Sequence, residues 1–141
     1  MTRTLDMQFI RYMNLFGKVA RVNAQHCFTY NNMLVFAVSK PAVTKAIGRD
    51  NENLQRLSRI LHKRIRIVAQ PITKTPEDIK TFITTVTSPI EFNSIEVKNN
   101  EVTISAGREG KARLIGRQRI RQKELSEILE QYFGIKKLNI A

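Results

Sequence analysis

Hydrophobic and polar residues follow two spacings along the first half of the chain, and these predict an order of helices and strands. Apolar residues recur at helical spacing from Leu5 to Phe16, with Thr4 placed to cap this helix and Gly17 to end it. A hairpin follows, because extended segments flank Asn31–Asn32 and paired asparagines tolerate the positive φ of a tight turn. The remaining predicted elements are a short helix over 41–47, a longer helix over 54–61 and a strand over 64–68.

The second half of the chain repeats this order at a fixed offset. Gly48 and Gly116 lie 68 residues apart, and at that offset 31–61 aligns with 99–129 without a gap. A match that covers a turn, a glycine and a helix face requires one supersecondary unit to occur twice. The pattern therefore predicts two domains, each with the order helix, strand, strand, helix, helix, strand, over residues 1–70 and 71–141.

Charge changes this picture more than overall composition does. The composition, with 42% hydrophobic and 26% charged residues, is that of an ordinary globular protein. The formal net charge of +12 makes a polyanion the first candidate partner, although a solvated basic surface is the simpler alternative. The two halves carry equal numbers of Lys and Arg, and the second half holds most of the acidic residues.

Several classes of protein are disfavoured by what the sequence lacks. It has neither an apolar run long enough to span a membrane nor a secretory signal, so we expect a cytoplasmic protein. Cys27 is the single cysteine and only His26 and His62 accompany it, which excludes a four-ligand zinc site built from Cys and His. No catalytic triad, acidic pair or Walker loop occurs, so we expect no enzyme activity, no metal and no cofactor.

The candidate chemistry lies at the corner between the two middle helices of each unit. These corners are Gly48-Arg49-Asp50-Asn51 and Gly116-Arg117-Gln118-Arg119. A helix N-terminus offers unpaired N–H groups, glycine allows close approach of a ligand, and arginine supplies positive charge. Such a corner suits a phosphate group.

This order of elements, with an Ile-Gly-x-x loop between the middle helices, resembles the type II KH domain, in which a GxxG loop clamps about four nucleotides of a single strand. Two such units, with the sequence Gln-Tyr-Phe-Gly-Ile over 131–135, are similar to the archaeal NusA-related transcription factors. The resemblance covers nearly the whole chain. It implies an α/β (α+β) fold of two tandem type II KH domains, each with a three-stranded sheet packed by helices. The second glycine of the family's loop is replaced by Asn51 and by Arg119.

The resemblance also implies which residues bind RNA. Between 108 and 123 seven cations accompany the single acid Glu109, so we expect the second unit to bind more tightly. Aliphatic residues generally contact the bases in KH grooves, so we expect Ile47, Ile115, Val35 and Ile67 to line the grooves. The predicted RNA-binding residues are Lys45, Ile47, Gly48, Arg49, Asn51, Arg56, Arg113, Ile115, Gly116, Arg117, Gln118, Arg119 and Arg121.

The function implied is binding of single-stranded RNA, the nascent transcript, in transcription termination or antitermination. RNA polymerase and other transcription factors are further candidate partners, and neither a membrane nor a small-molecule substrate is expected. Two alternatives stay open. Asp50 and the replaced glycines favour a KH scaffold that binds protein with little grip on RNA, and RNA processing or ribosome assembly would use the same chemistry.

Overall fold

A computed structural model of the chain describes residues 7–141, and the chain divides into two compact units between Gln70 and Pro71. Each unit follows the predicted order of elements around a three-stranded sheet. The first contains α1 (Met7–Ala20), β1 (His26–Tyr30), β2 (Met33–Val38), α2 (Val43–Ile47), α3 (Glu52–Leu61) and β3 (Arg64–Ala69). The second contains α4 (Pro76–Thr87), β4 (Ser94–Lys98), β5 (Glu101–Ser105), α5 (Arg108–Ile115), α6 (Ile120–Phe133) and β6 (Lys137–Ile140).

The two sheets have the same topology. In each, the first two strands form an antiparallel hairpin and the third strand pairs in parallel with the second. The hairpin turns confirm the paired-asparagine prediction, since φ is 52° and 60° at Asn31 and Asn32 and 51° and 65° at Asn99 and Asn100. The last strand of each unit, β3 or β6, therefore lies at an edge of its sheet.

The core of the first unit forms where its helices cover one face of the sheet. Phe16 of α1 stacks on Phe36 of β2 with ring centroids 4.5 Å apart. Ala46 of α2 and Leu57 of α3 are fully buried against the same cluster. Each large apolar side chain buried in this way contributes about 1.5–3 kcal/mol to the free energy of unfolding.

The second unit has a corresponding core, centred on Phe82 of α4. Its ring lies 5.6 Å from that of Phe133 in α6, edge to face. The start of α4 is fixed by its cap, because the Thr75 hydroxyl accepts a 3.3 Å hydrogen bond from the Asp78 amide and Pro76 occupies the first helical position. Among the residues described, no helix combines the length and apolar character needed to cross a membrane.

The first helix ends later than the sequence indicates. It runs through Gly17 to Ala20, and the chain leaves it at Arg21, which has φ of 58° and donates its amide to the Gly17 carbonyl oxygen at 3.0 Å. The following strand correspondingly starts at His26. The predicted cap, Thr4, lies outside the described residues. Glycine is tolerated inside this helix because packing of an amphipathic face outweighs its propensity cost of about 1 kcal/mol.

Candidate nucleic-acid interface

The two glycine corners follow the same backbone path. Gly48 has φ of 83° and ψ of 170°, and Gly116 has φ of 74° and ψ of 173°. The last residue of each corner is left-handed, with φ of 60° at Asn51 and 62° at Arg119. Both corners thus keep the backbone conformation for which glycine is best suited. Arg119 holds it against a steric preference of about 1–2 kcal/mol, whereas asparagine adopts it more readily.

The first glycine of each corner is required by the local structure. A Cβ atom on Gly48 would lie 3.2 Å from the Asn53 backbone nitrogen, and one on Gly116 would lie 3.0 Å from the Arg121 backbone nitrogen. The positive φ at both positions further disfavours any side chain. These glycines are therefore explained by the tight helix-to-helix turn itself, and the case for a ligand depends on the residues around them.

The residue two places beyond each corner lies close to the corner glycine. In the first unit the Asn53 amide donates to the Ala46 carbonyl oxygen at 3.0 Å, which ties the start of α3 to the end of α2. In the second unit this position is Arg121, whose side chain is only 18% exposed and pairs with Glu124 at 3.4 Å. The Arg121 side chain thus lies against Gly116. It is less accessible to RNA than the exposed side chains of Arg117 and Arg119.

A cavity of about 730 Å³, here called the first groove, opens beside the first corner. It lies between α3 and the edge strand β3. Leu54 and Ile65 supply apolar surface, and three arginines supply positive charge. Its lining residues are Met33, Asn51, Leu54, Gln55, Ser58, Arg59, Arg64, Ile65 and Arg66.

A smaller cavity of about 350 Å³, here called the second groove, lies at the equivalent place in the second unit. Five of its lining residues are those of the first groove displaced by 68 positions, and Leu138 of β6 takes the place of Ile65 of β3. The Gln122 side chain donates to the Leu138 carbonyl oxygen at 3.3 Å, a bond that the equivalent Leu54 lacks the atoms to form. The second groove is lined by Arg119, Gln122, Lys123, Ser126, Glu127 and Leu138.

One arginine of the first groove, Arg66, lies where its positive charge is disfavoured. Arg64 and Arg66 alternate along β3 and so extend to the same side of the strand. Burial lowers the pKa of Arg66, and the neighbouring Arg64 lowers it further, while Tyr30 opposes the change. Arg64 also donates to the Asn31 carbonyl oxygen at 2.7 Å, which fixes its guanidinium near the hairpin turn. An anion bound between these two side chains would relieve their repulsion.

Each groove contains one of the residues predicted to bind RNA among its described lining residues: Asn51 in the first groove and Arg119 in the second. Arg49, Arg117 and Gln118 lie exposed at the corners, within two residues of the lining residues Asn51 and Arg119. Ile47 and Ile115 are half-buried near the ends of α2 and α5 and are not among the described lining residues. The remaining cations lie on exposed helix surface, where Arg56 pairs with Glu52 at 3.5 Å, Arg113 pairs with Glu109 at 3.4 Å and Lys45 is in the last turn of α2.

The prediction that Val35 and Ile67 line a groove was wrong. Val35 is fully buried on the central strand and Ile67 is 8% exposed within the core cluster. Most of the lining residues that were not among the predicted RNA-binding residues lie on the groove side of α3 and α6 and on the edge strands. The 68-residue repeat could have indicated some of them, because Ser58 lines the first groove and Ser126, at the equivalent position, lines the second.

Two units of this order, each with a glycine corner beside a groove at the sheet edge, form a tandem KH-like fold. No protein-family model matches the chain. It is 21% identical to the "Probable transcription termination protein NusA" of Thermoplasma acidophilum, across 97% of this chain and 94% of that protein. This similarity confirms the resemblance to the archaeal NusA-related proteins. The fold also matches the crystal structure of APE1850 with a TM-score of 0.66 and 24% identity, covering 97% of this chain and all of that one.

Proposed function

We propose that this chain binds single-stranded RNA through both grooves and acts in transcription termination or antitermination. The observation that supports this most is the duplicated groove: a cavity lined by cations lies beside the same left-handed corner in both units. The net charge of +12 supports a polyanionic ligand. The name of the relative from Thermoplasma acidophilum supports a role in termination.

The two units offer positive charge at different places. At the first corner Asp50 offsets Arg49, and the cations lie in the groove as Arg59, Arg64 and Arg66. At the second corner Arg117 and Arg119 are both exposed and no acid lies between them. Phosphates would therefore bind mainly along α3 and β3 in the first unit and mainly at the corner in the second. The apolar surface of Leu54, Ile65 and Leu138 would contact unstacked bases, which only a single strand exposes.

The proposal is tested by titrating the full chain into a fluorescently labelled single-stranded RNA and measuring anisotropy at several salt concentrations. If four phosphates are neutralised, the logarithm of the association constant falls with the logarithm of salt with a slope of about −3. Arg59→Gln should make this slope shallower. Arg21→Gln is a matched control, because Arg21 is also exposed but lies outside the described lining of either groove. An association constant that does not change with salt concentration, or one that is equal for single-stranded and duplex RNA, would contradict the proposal.

The cellular role is tested by crosslinking RNA in the native cell and mapping the crosslinked peptides. We expect peptides that contain the corners or the groove sides of α3 and α6, bound to messenger transcripts near their ends. Recovery of ribosomal RNA alone would favour ribosome assembly, and recovery of no RNA would favour a protein-binding KH scaffold.

A further inference from the structure

The two grooves differ in charge at one pair of equivalent positions. Arg59 on α3 lines the first groove, and Glu127 on α6, 68 residues later, lines the second. Among the described residues of the first groove there is no acid, whereas Glu127 is the acid of the second groove, where it accompanies Arg119 and Lys123. This difference bears on which part of a nucleotide each groove accepts.

A carboxylate at the groove wall repels phosphate, so a nucleotide that lies next to Glu127 must present hydrogen-bond donors. In RNA such donors are found on the bases and on the ribose hydroxyls, and not on the phosphates. Arg119 lies at the corner end of the groove, and Lys123 lies one helical turn before Glu127. These two cations are placed to bind the flanking phosphates. The ligand would therefore enter with its backbone towards the cations and its base towards Glu127.

Among the four bases, guanine matches a carboxylate best. Its Watson–Crick edge carries two adjacent N–H donors, N1–H and the 2-amino group, which fit the two oxygens of one carboxylate. Cytosine and adenine present a single amino group beside an acceptor nitrogen, and uracil presents one imino group between two carbonyl oxygens. We propose that the second groove selects guanine, with Glu127 as the specificity-determining residue; this rests on the proposed function.

The size and walls of the second groove agree with a site for one base. Its volume of about 350 Å³ is about half that of the first groove, at about 730 Å³. Leu138 offers an apolar surface to the face of a base, and the bond from Gln122 to the Leu138 carbonyl oxygen holds the Gln122 side chain in place. A fixed wall discriminates between bases better than a mobile one, because less side-chain ordering is required on binding.

The test compares oligouridines that contain one guanosine, one inosine or no substitution. Inosine lacks only the 2-amino group, so it removes one of the two donors assigned to Glu127 and keeps N1–H and the rest of the guanine edge. Affinity at the second unit is followed by NMR from amide resonances of α6 and β6. For the unmodified protein we expect guanosine to bind about tenfold more tightly than inosine, the effect of one hydrogen bond to a charged group.

Two variants separate the role of Glu127 from a general change of charge. Glu127→Gln keeps the shape of the side chain and should reduce the preference for guanosine over inosine to about threefold or less, because a neutral acceptor forms the weaker bond. Glu130→Gln makes the same change on the same helix at an exposed residue outside the described lining, and should leave the preference intact. Replacing guanosine by 7-deazaguanosine should have no effect, since the N7 that it removes is an acceptor.

Several results would overturn the inference while leaving the proposed function in place. They are equal binding of guanosine and inosine, a guanosine preference that survives Glu127→Gln, a preference for cytosine or adenine, or resonance shifts confined to the first unit. Failure of the protein to bind any of the three RNAs in a salt-dependent manner would overturn both the proposed function and the guanine selectivity.

Discussion

Replacing Gly116 by alanine tests whether the second corner requires the backbone described here. At φ of 74° and ψ of 173° the residue lies in a region that only glycine populates freely, and a side chain there costs about 1–3 kcal/mol. The added Cβ would also lie 2.6 Å from the Arg121 Cγ and 3.0 Å from its backbone nitrogen. The Arg121 side chain can shift, but its backbone lies in the first turn of α6, where a shift would disturb the start of the helix. We expect Gly116→Ala to lower the free energy of unfolding by about 2–4 kcal/mol.

Gly107→Ala is the matched control, because it adds the same methyl group in the same unit. Gly107 has φ of −66°, and a Cβ atom there would meet nothing within 4 Å. Its substitution should change the free energy of unfolding by less than about 1 kcal/mol, with a small loss from the N-cap position offset by a stiffer unfolded chain.

Urea denaturation followed by far-ultraviolet circular dichroism measures both variants, since the chain has no tryptophan to report by fluorescence. Equal m-values would show that the same surface is exposed on unfolding and that the free energies can be compared. If Gly116→Ala costs no more than Gly107→Ala, the strained corner described here is incorrect. RNA affinity of the folded variant then gives an independent measure, and we expect it to fall as the corner changes shape.

Four further predictions concern the corners and the cysteine. Changing Arg117 and Arg119 together to aspartate should weaken RNA binding more than changing Arg49 alone to aspartate; the reverse order in anisotropy titrations would show that the first unit dominates. Arg119→Gly should relieve left-handed strain and raise the free energy of unfolding by up to about 1 kcal/mol while weakening RNA binding, and a simultaneous gain in both would exclude an RNA contact by Arg119. Burial raises the pKa of the Cys27 thiol from its ordinary value of 9.0 to about 12, so the native protein should react slowly with iodoacetamide near pH 9 and the urea-unfolded protein quickly. Because the thiol stays protonated in the folded state, stability should also decline as pH rises above about 9, and a pH-independent denaturation midpoint up to pH 11 would contradict this.

The elements of the fold followed from the sequence because they depend on local patterns. Apolar spacing identified both middle helices, and the two asparagine pairs identified both hairpin turns, each of which has positive φ. Gly17 was misjudged since its cost inside a helix is small, and the burial of Phe16 and Ala20 on either side compensates for it. Tertiary contacts of this kind leave no local signal in the sequence.

The site was harder to predict than the fold. The corners were found because a glycine and its neighbours are contiguous in sequence. The grooves combine a helix with a strand edge that is distant along the chain, so Ile65 and Leu138 were not recognised as lining residues. Val35 was misplaced because an apolar run does not show which strand is central, and the sheet order that buries it is a property of the whole unit. The contrast between Arg59 and Glu127 became meaningful only once both were located in equivalent cavities.

The position of β3 at the edge of its sheet links solubility to the proposed binding site. An edge strand exposes backbone N–H and C=O groups on which the strand of another molecule can add, and charged side chains are a common protection against this. Arg64 and Arg66 supply such protection on the strand that borders the first groove. Neutralising them to weaken RNA binding therefore also removes a barrier to aggregation. Light scattering should be measured together with RNA affinity for every such variant.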